Sequence, residues 1–257
     1  MSVAVLRHRR LRGPAVSLAS LALGAGLWQL IGAHTQRTSF VGFTATMSAL
    51  WHLAVDGELW TALGQSLEVF GIGLAIALSI GFVLGLLMAR IEPLRVGLEP
   101  YVAALYATPT VALIPFILAV FGFEQRAKII VVVLFGIWPI LINTLEGARS
   151  VSHELLEVAK SYRSTEPKLW RHVIVPYTLP YTMTGIRQAI ARCLVGMVAA
   201  EFLLSASGLG ELIIRNTERF ETGNVLAGVL TITLVATALM AVGRAIENYF
   251  ARWKAGG

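Results

Sequence analysis

LLEVAKSYRSTEPKLWRHVIVPYTLP, residues 155–180, is the longest polar segment of this chain and lies between two apolar segments. Its first part has apolar residues at helical spacing, which predicts a short amphipathic helix anchored by Leu155, Val158, Ala159 and Tyr162. Proline suits only the first turn of a helix, so a second short helix is predicted from Pro167 to Val173, stopped by Pro176 and Pro180. The segment is therefore predicted to be a helix-turn-helix hairpin that projects from a membrane and is bound by a partner outside it.

The composition predicts an all-α polytopic membrane protein. Of the 257 residues, 56% are hydrophobic and 14% are charged, and several apolar runs are long enough to cross a bilayer. Cys193 is the single cysteine and lies within an apolar run, which excludes a disulfide framework and a cysteine metal site. We expect no metal and no ATP hydrolysis by this chain, because the sequence lacks a histidine–carboxylate cluster and a G-x-x-x-x-G-K-[ST] loop.

Six membrane spans are predicted, preceded by a basic head and including a retained first helix. Their bounds are Ala15–Ile31, Leu67–Met88, Leu98–Phe121, Ile129–Leu145, Tyr181–Leu204 and Val225–Tyr249. Between the first two spans, Ala45–Leu63 is predicted to be a helix at the outer interface, with its tryptophans at headgroup level. Gly81 and Gly85 predict close helix packing. In the third span, Thr108-Pro109-Thr110 and Pro115 predict either a kink or a break that lines a pathway.

Basic residues in the loops predict the orientation of the spans. The net charge of +6 lies in these loops, so it sets orientation rather than indicating nucleic acid as a partner. With the N-terminus inside, the outer segments carry only Arg37, Arg126, Lys128, Arg215 and Arg219, whereas the inner segments carry Arg7, Arg9, Arg10, Arg12, Arg90, Arg95, Arg149, Lys160, Arg163, Lys168, Arg171, Arg252 and Lys254. Both termini and the 155–180 hairpin are therefore predicted to be cytoplasmic.

Charged residues inside the spans are candidate functional groups, because they are costly in a bilayer. Arg192 lies near the middle of the fifth span, and Gln188 lies one turn earlier on the same face. Arg192 has two interpretations, a cavity-facing role or a structural pair with a carboxylate on another helix, such as Glu146 or Glu201. Arg187 is placed to snorkel towards the cytoplasm, and both Glu68 and Glu201 are predicted to be interfacial.

The hairpin resembles the EAA loop of the permease subunits of bacterial ABC importers. That loop reads Glu-Ala-Ala, three residues, Gly, nine residues, then Ile-x-Leu-Pro, and this chain has Glu157-Val158-Ala159 at the start and Val173, Val175 and Pro176 at the end. Arg163 stands where the glycine belongs. Because a positive φ is costly for arginine, a turn of altered shape is predicted. Taken alone, this spacing also fits an ordinary amphipathic cytoplasmic loop.

Further segments extend the resemblance from about Leu59 to Trp253 and make it closest to the nitrate/sulfonate/taurine group. They are residues 59–90, ALIP at 112–115, WPILINT at 138–144, LPYTMTGIRQAIAR at 179–192 and VAAEFLLSASGLGELI at 198–213; the chain departs from the group at 107–111. The resemblance implies a permease core over 59–253, including the EAA-like loop at 152–180, behind an N-terminal segment of residues 1–58. It also implies a multi-pass protein of the bacterial cytoplasmic (inner) membrane.

The resemblance and the residues together predict three sets of site residues. The ATPase-coupling set is Glu157, Val158, Ala159, Lys160, Tyr162, Arg163, Arg171 and Pro176. The substrate pathway set is Thr108, Pro109, Thr110, Gln188 and Arg192, and the resemblance adds an outer gate at Ser207, Gly208 and Gly210. The partners implied are two ATP-binding subunits that hold ATP and magnesium, an external solute-binding protein, a second copy of the chain and membrane lipid.

Two other functions have weaker support in the sequence. A secondary, ion-coupled transporter of a small anion would need its own coupling site at mid-span, where Arg192 is the one charge found. A membrane-embedded enzyme using Ser205 or Ser207 would need a base within hydrogen-bond reach, and no histidine lies in a predicted span. The predicted function is therefore ATP-driven import of a small anionic solute, with no catalytic residue in this chain.

Overall fold

The computed structural model describes residues 3–35, 40–204 and 207–251. These residues are almost entirely helical, and no strand occurs in the described ranges. The helices are α1 Val3–His34, α2 Phe43–Val55, α3 Glu58–Arg90, α4 Glu92–Ala107, a 3-10 helix Thr110–Leu113, α5 Ile114–Phe121, α6 Gln125–Arg149, α7 His153–Ser161, α8 Glu166–Leu169, a π-helix Trp170–Ile174, α9 Val175–Leu204, α10 Leu209–Glu218 and α11 Thr222–Ala251. The predicted all-α fold class is confirmed.

Four helices are long and apolar enough to cross a membrane. They are Val16–His34, Glu58–Arg90, Gln125–Arg149 and Thr222–Asn248. The number of candidate spans in the described ranges rises to five if α4 and the bent segment 110–121 are counted together as one span. Helix α9 has 30 residues and is therefore about 45 Å long, but it carries more polar residues. The count of six spans stays a prediction, as does the orientation. Of the residues used to predict the orientation, Arg37, Arg252 and Lys254 lie outside the described ranges.

The third predicted span is not one straight helix. Its two halves are bent by 93° at a break after Ala107. Thr108 precedes a proline, which disfavours the helical conformation, and it is extended with ψ 132°. Its hydroxyl closes the end of α4 by donating to the carbonyl of Ala104 at 2.8 Å. Pro115 causes no further break, because it lies in the first turn of α5.

The predicted single interfacial helix over Ala45–Leu63 is also wrong. Helix α2 ends at Val55, and α3 begins at Glu58, so Leu59 and Trp60 belong to a membrane helix. Gly57 separates the two helices with φ +81°, a conformation that glycine adopts without a steric penalty.

The prolines after the hairpin do not stop the second helix as predicted. From Glu166 to Leu204 the chain stays helical, through α8, the π-helix and α9. Pro176 cannot donate a hydrogen bond, and in a regular α-helix its ring would meet the carbonyl of residue 172. The preceding turn widens into the π-helix, where the amide of Val175 donates to the carbonyl of Trp170, five residues earlier. The wider turn accommodates Pro176 without ending the helix.

The described residues form two compact units, a larger one within 62–211 and 232–251 and a smaller one within 3–61 and 212–231. In the larger unit, α6 packs along α9. A side chain at Gly136 would meet the sulfur of Cys193, and side chains at Gly81 and Gly85 would meet the carbonyls of Ile137 and Leu141 at 2.9 Å. Small residues therefore allow close approach of α3, α6 and α9, as predicted for the Gly81–Gly85 pair.

In the smaller unit, α1 and α2 contact each other near the end of α1. The indole nitrogen of Trp28 donates to the carbonyl of Val41 at 3.0 Å, and its ring meets Phe43 edge-on at 5.6 Å. Arg215 of α10 forms an ion pair with Glu58. The predicted boundary after residue 58 stays a prediction.

Candidate coupling hairpin and polar sites along helix α9

The apolar residues of α7 do not anchor it within this chain. Leu155, Val158 and Tyr162 are 42%, 55% and 84% exposed, and Glu157 between them is exposed as well. At positions i, i+3 and i+7 these apolar side chains share one face of the helix. The described chain therefore does not bury these three side chains, and α7 presents an apolar stripe with a carboxylate beside it. The predicted anchoring of the short helix stays a prediction. The side chain of Lys160 lies outside the described residues.

Arg163 adopts the left-handed conformation, with φ +50°. The amide of Ser164 donates to the carbonyl of Ala159 at 3.1 Å, five residues back, which is the closure of a helix by a Schellman motif. This motif needs a left-handed residue just after the helix, a position usually taken by glycine. The prediction of an altered turn is wrong in this respect, because the arginine accepts the strained conformation.

The second arm of the hairpin is tied to the end of α3. The Nε atom of Arg90 lies 3.5 Å from an oxygen of Glu166, and its guanidinium lies 5.8 Å from the ring centroid of Trp170. Both charged side chains are about half exposed. Arg171 is exposed on the same arm, and Pro176 is half-buried where the arm continues into α9. The hairpin is thus held against a membrane helix by contacts that water can reach.

At the middle of α9, Arg192 contacts an aromatic residue of α4. Its Nη2 donates to the hydroxyl of Tyr106 at 2.9 Å, and its guanidinium carbon lies 4.6 Å from the centroid of the same ring. Neither Glu146 nor Glu201 pairs with Arg192 within the described chain. Arg192 is exposed, and so is Gln188 on the same face of the helix.

The break at 108–110 begins two residues after Tyr106. Of the predicted pathway residues at this break, Thr108 and Thr110 are half-buried and Pro109 is exposed, and Tyr106 just before them contacts α9. Beyond the break, Ile114 and Ile117 join a buried apolar cluster with Ala200 of α9. Tyr106 is a site residue that sequence reasoning missed. An aromatic residue just before a proline break gives no local signal of its distant partner.

Arg187 does not simply extend towards the membrane surface. Its Nε lies 3.2 Å from a carboxylate oxygen of Glu247 in α11, and the hydroxyl of Thr184 donates to the other oxygen at 3.1 Å. The pair joins α9 to α11 in the half of α9 nearer the hairpin. Charges within apolar helices are expected to find such partners.

At the far end of α9, Glu201 is completely buried rather than interfacial. One carboxylate oxygen accepts a hydrogen bond from the hydroxyl of Ser66 at 2.6 Å, and the other accepts one from the amide of Gly210 at 2.8 Å. Lys128, predicted as an outer loop charge, is also buried, and its Nζ donates to the carbonyl and hydroxyl of Ser207 at 2.8 and 2.9 Å. Ser205 lies outside the described residues.

The predicted outer gate residues Ser207, Gly208 and Gly210 are thus gathered by side chains from three helices. Sequence reasoning missed Ser66 and Lys128, which are 135 and 79 positions from their partners. In the sequence, Lys128 and Glu201 each lie near the end of a predicted span, and that position suggested the membrane surface rather than a buried site. Within the described ranges no cluster of metal-ligating side chains occurs.

Comparison with known proteins identifies the family of the chain. Residues 81–255 match the family model described as binding-protein-dependent transport system inner membrane component. A permease protein of Escherichia coli (strain K12) named for aliphatic sulfonates transport is 31% identical over 240 residues, covering 88% of this chain and 87% of the relative. The formylaminopyrimidine transport permease protein ThiX of Halalkalibacterium halodurans is 30% identical, covering 77% and 80%.

Among solved structures, a chain of an amino acid ABC transporter superposes with a TM-score of 0.63 at 15% identity, over 79% of this chain and 97% of the other. At that identity the likeness shows the fold alone. The sequence relatives carry names of transport permeases and not of enzymes. The chain belongs to the family of binding-protein-dependent transport system inner membrane components, and it is the permease subunit of an ABC importer.

Proposed function

We propose that this permease forms a homodimer that conducts a small anion into the cytoplasm. The observation that carries the proposal is Arg192, a mid-span arginine whose hydrogen-bond partner is the neutral hydroxyl of Tyr106. As a member of its family, the permease works with ATP-binding subunits and a solute-binding protein. The energy for import comes from those ATP-binding subunits, which would hold ATP and magnesium.

The guanidinium of Arg192 is oriented but its charge is not neutralised by a carboxylate of the described chain. A guanidinium has five N–H donors, and the Tyr106 hydroxyl takes one of them. The tyrosine ring also packs against the guanidinium, which favours one direction for the planar fork formed by its N–H groups. The remaining donors can meet water or an anion, and a planar fork suits sulfonate, carboxylate or nitrate oxygens.

The face around Arg192 supports a pathway. Gln188, Arg192 and Val195 are exposed at helical spacing, whereas Ala189 and Cys193 between them are buried. Apart from Tyr106 against Arg192, this face of α9 is left exposed by the described residues of the larger unit. In a two-fold dimer the same face from both copies would line one central space, and two arginines would raise the local potential for anions.

The hairpin is the proposed docking element for an ATP-binding subunit. Its exposed apolar stripe, Glu157, Arg163 and Arg171 suit a partner surface with an apolar groove and charged rim. One chain offers one hairpin, so two ATP-binding subunits need two hairpins, and a second copy of this chain is the simplest source of the other. The excess of basic residues on the hairpin side favours a cytoplasmic hairpin and cytoplasmic termini.

Relatives with printed substrate names make sulfonates and nitrate suitable first probes. One relative is named for aliphatic sulfonates, and the nitrate import permease protein NrtB of Leptolyngbya laminosa is 29% identical over 187 residues, covering 73% of this chain and 67% of the relative. Both probe ions present oxygens to which the fork of Arg192 could donate.

The test is uptake by the complete transporter in proteoliposomes, with its own solute-binding protein and with alkanesulfonates and nitrate as probes. Arg192→Gln is expected to lower uptake at least about tenfold, the effect of losing one charged hydrogen bond of about 1.5 kcal/mol. Arg192→Lys keeps the charge without the fork and should lose less. Glu146→Gln, on α6, is the control and should transport normally.

The assembly of each variant separates the possible outcomes. Loss of uptake with intact assembly supports a solute-facing arginine, whereas failure of both variants to assemble would indicate a structural pair. Normal uptake by Arg192→Gln would end the proposal. Native mass spectrometry of the same preparations should count two copies of this chain, and one copy beside a different permease would contradict the homodimer.

A further inference from the structure

We propose that Lys128 and Glu201 form a latch that holds the turn at 207–210, which leads into α10 and includes its first two residues, in place at the outer mouth and releases it during transport. The outer position of this latch rests on the proposed orientation, which puts the end of α9 that lies away from the hairpin outside the cell. The latch itself stands on contacts within the larger unit, in a region where the sequence suggested only a gate of serine and glycine residues.

Side chains hold the turn at every residue. The amides of Gly208, Leu209 and Gly210 donate to Gln65 at 3.0 Å, to Ser66 at 2.9 Å and to Glu201 at 2.8 Å. Ser207, the remaining residue of the turn, accepts two hydrogen bonds from Lys128. Helices α3, α6 and α9 therefore each contribute a contact, so relative movement of any of them would strain the turn.

The turn separates two buried charges of opposite sign. Lys128 is 1% exposed and Glu201 is 0% exposed, and within the described residues neither forms an ion pair with a distance of 4 Å or less. Each charge is instead satisfied by neutral groups: the lysine by Ser207, and the carboxylate by Ser66 and Gly210.

Withdrawal of the turn would leave Lys128 without its two acceptors at Ser207 and would leave Glu201 with the Ser66 hydroxyl alone, which is strongly unfavourable for charges in a buried site. The two side chains could then satisfy each other by forming a direct ion pair. The site thus has two arrangements, one with the turn inserted between the charges and one with the charges joined. A packed element with two discrete arrangements can switch, whereas one with a single arrangement cannot.

Two glycines allow the inserted arrangement. Gly208 has φ +100°, and a side chain on it or on Gly210 would collide with the side chain of Glu201. The backbone can therefore come close enough for the amide of Gly210 to bind the carboxylate. This explains the S-G-L-G pattern as a requirement for close approach to a charge, beyond a simple flexible loop.

Position along α9 connects the latch to the proposed solute site. Glu201 is nine residues after Arg192 on one helix, which is about 13 Å along its axis. A shift or rotation of α9 that moves Arg192 would also move the carboxylate that holds Gly210. The latch is therefore placed to link the mid-span site with the outer mouth.

Hydrogen exchange measured by mass spectrometry on the complete transporter in nanodiscs tests the latch. The readout is exchange at the amides of 208–210, compared between the nucleotide-free state and a state trapped with ATP, vanadate and the solute-binding protein. The latch predicts slow exchange without nucleotide and at least about tenfold faster exchange in the trapped state, since each amide loses its acceptor. Equal exchange in both states of the wild-type chain would overturn the proposal.

Variants then test the role of the charge. Lys128→Met should speed exchange at 208–210 about tenfold in the nucleotide-free state and raise ATP hydrolysis without binding protein severalfold, while Lys128→Arg should keep both near wild type. Thr144→Val is the control. It removes a buried hydroxyl contact of 3.0 Å between Thr144 and Thr182, which joins α6 and α9, the helices that carry Lys128 and Glu201. The same change of exchange and hydrolysis in the control variant would reduce Lys128 to a structural role.

The outcomes are separate from those of the solute proposal. If Lys128→Met fails to assemble, the wild-type comparison still decides whether the turn is released. If Arg192 variants transport normally while 208–210 changes exchange with nucleotide, the anion proposal fails and the latch stands. If the Arg192 variants lose uptake while exchange at 208–210 is the same in both states, the anion proposal stands and the latch fails.

Discussion

The two ends of helix α9 both carry charged residues, but they satisfy those charges in opposite ways. Before its start, polar contacts are open to water: Arg90 forms an ion pair with Glu166, and His153 Nε2 lies 3.2 Å from an oxygen of Glu157. These side chains are 47% to 79% exposed. After its end, Lys128 and Glu201 are buried and bound by the turn between them. Acidic and basic side chains therefore lie in water at one end of α9 and in the protein interior at the other.

This difference teaches which end is available to another protein. Ion pairs at a surface contribute at most about 1 kcal/mol, so the hairpin can exchange them for contacts with a partner. Buried charges lose far more when their ligands leave, so the other end is self-contained until something drives it open. Docking is expected at the exposed end, and switching is expected at the buried end.

Removing Glu201 should have the largest effect on stability. Glu201→Ala leaves the Ser66 hydroxyl and the Gly210 amide without their acceptor, and two unsatisfied buried donors cost about 2–4 kcal/mol. The matched change at the exposed end, Glu157→Ala, should leave stability unchanged. Thermal unfolding of the two purified variants in detergent checks this contrast, and equal midpoints would remove it.

Reversing the charge at Glu157 should affect docking and leave folding intact. Glu157→Lys places a cation on the exposed stripe of α7, where a partner surface built for a carboxylate would repel it. Co-purification with the ATP-binding subunit, or the coupling of ATP hydrolysis to uptake, is expected to fall by about tenfold. Glu154→Lys is the control on the same helix, and an equal loss in both variants would indicate a general charge effect.

The smallest expected effect is a gain at the hairpin turn. The left-handed conformation costs arginine about 1 kcal/mol, and glycine avoids that cost while losing part of the gain to its greater freedom in the unfolded chain. Arg163→Gly should therefore stabilise the turn by about 0.5 kcal/mol. Chymotrypsin cleavage after the exposed Tyr162 should slow about twofold, whereas Arg171→Gly, at a helical position, should not slow it.

Several features followed from local sequence. Apolar runs of about 20 residues predicted the membrane helices, and the polar segment at 155–180 predicted a hairpin, because polarity over one helix length decides whether it enters a bilayer. The proline at 109 predicted a kink or a break, and the bend of 93° was decided by how the two halves pack. Pro176 was misjudged, since a neighbouring turn could widen and absorb it.

By itself the sequence determined an all-α membrane permease, since hydropathy, prolines and the EAA-like spacing act within a few helical turns. Only the tertiary structure decided which polar groups meet: Tyr106 with Arg192, Glu201 with Ser66 and Lys128 with Ser207, which are 86, 135 and 79 positions apart. The physical reason is that the cost of a charge in a membrane is known from the residue alone. The group that relieves that cost depends on which helices pack side by side.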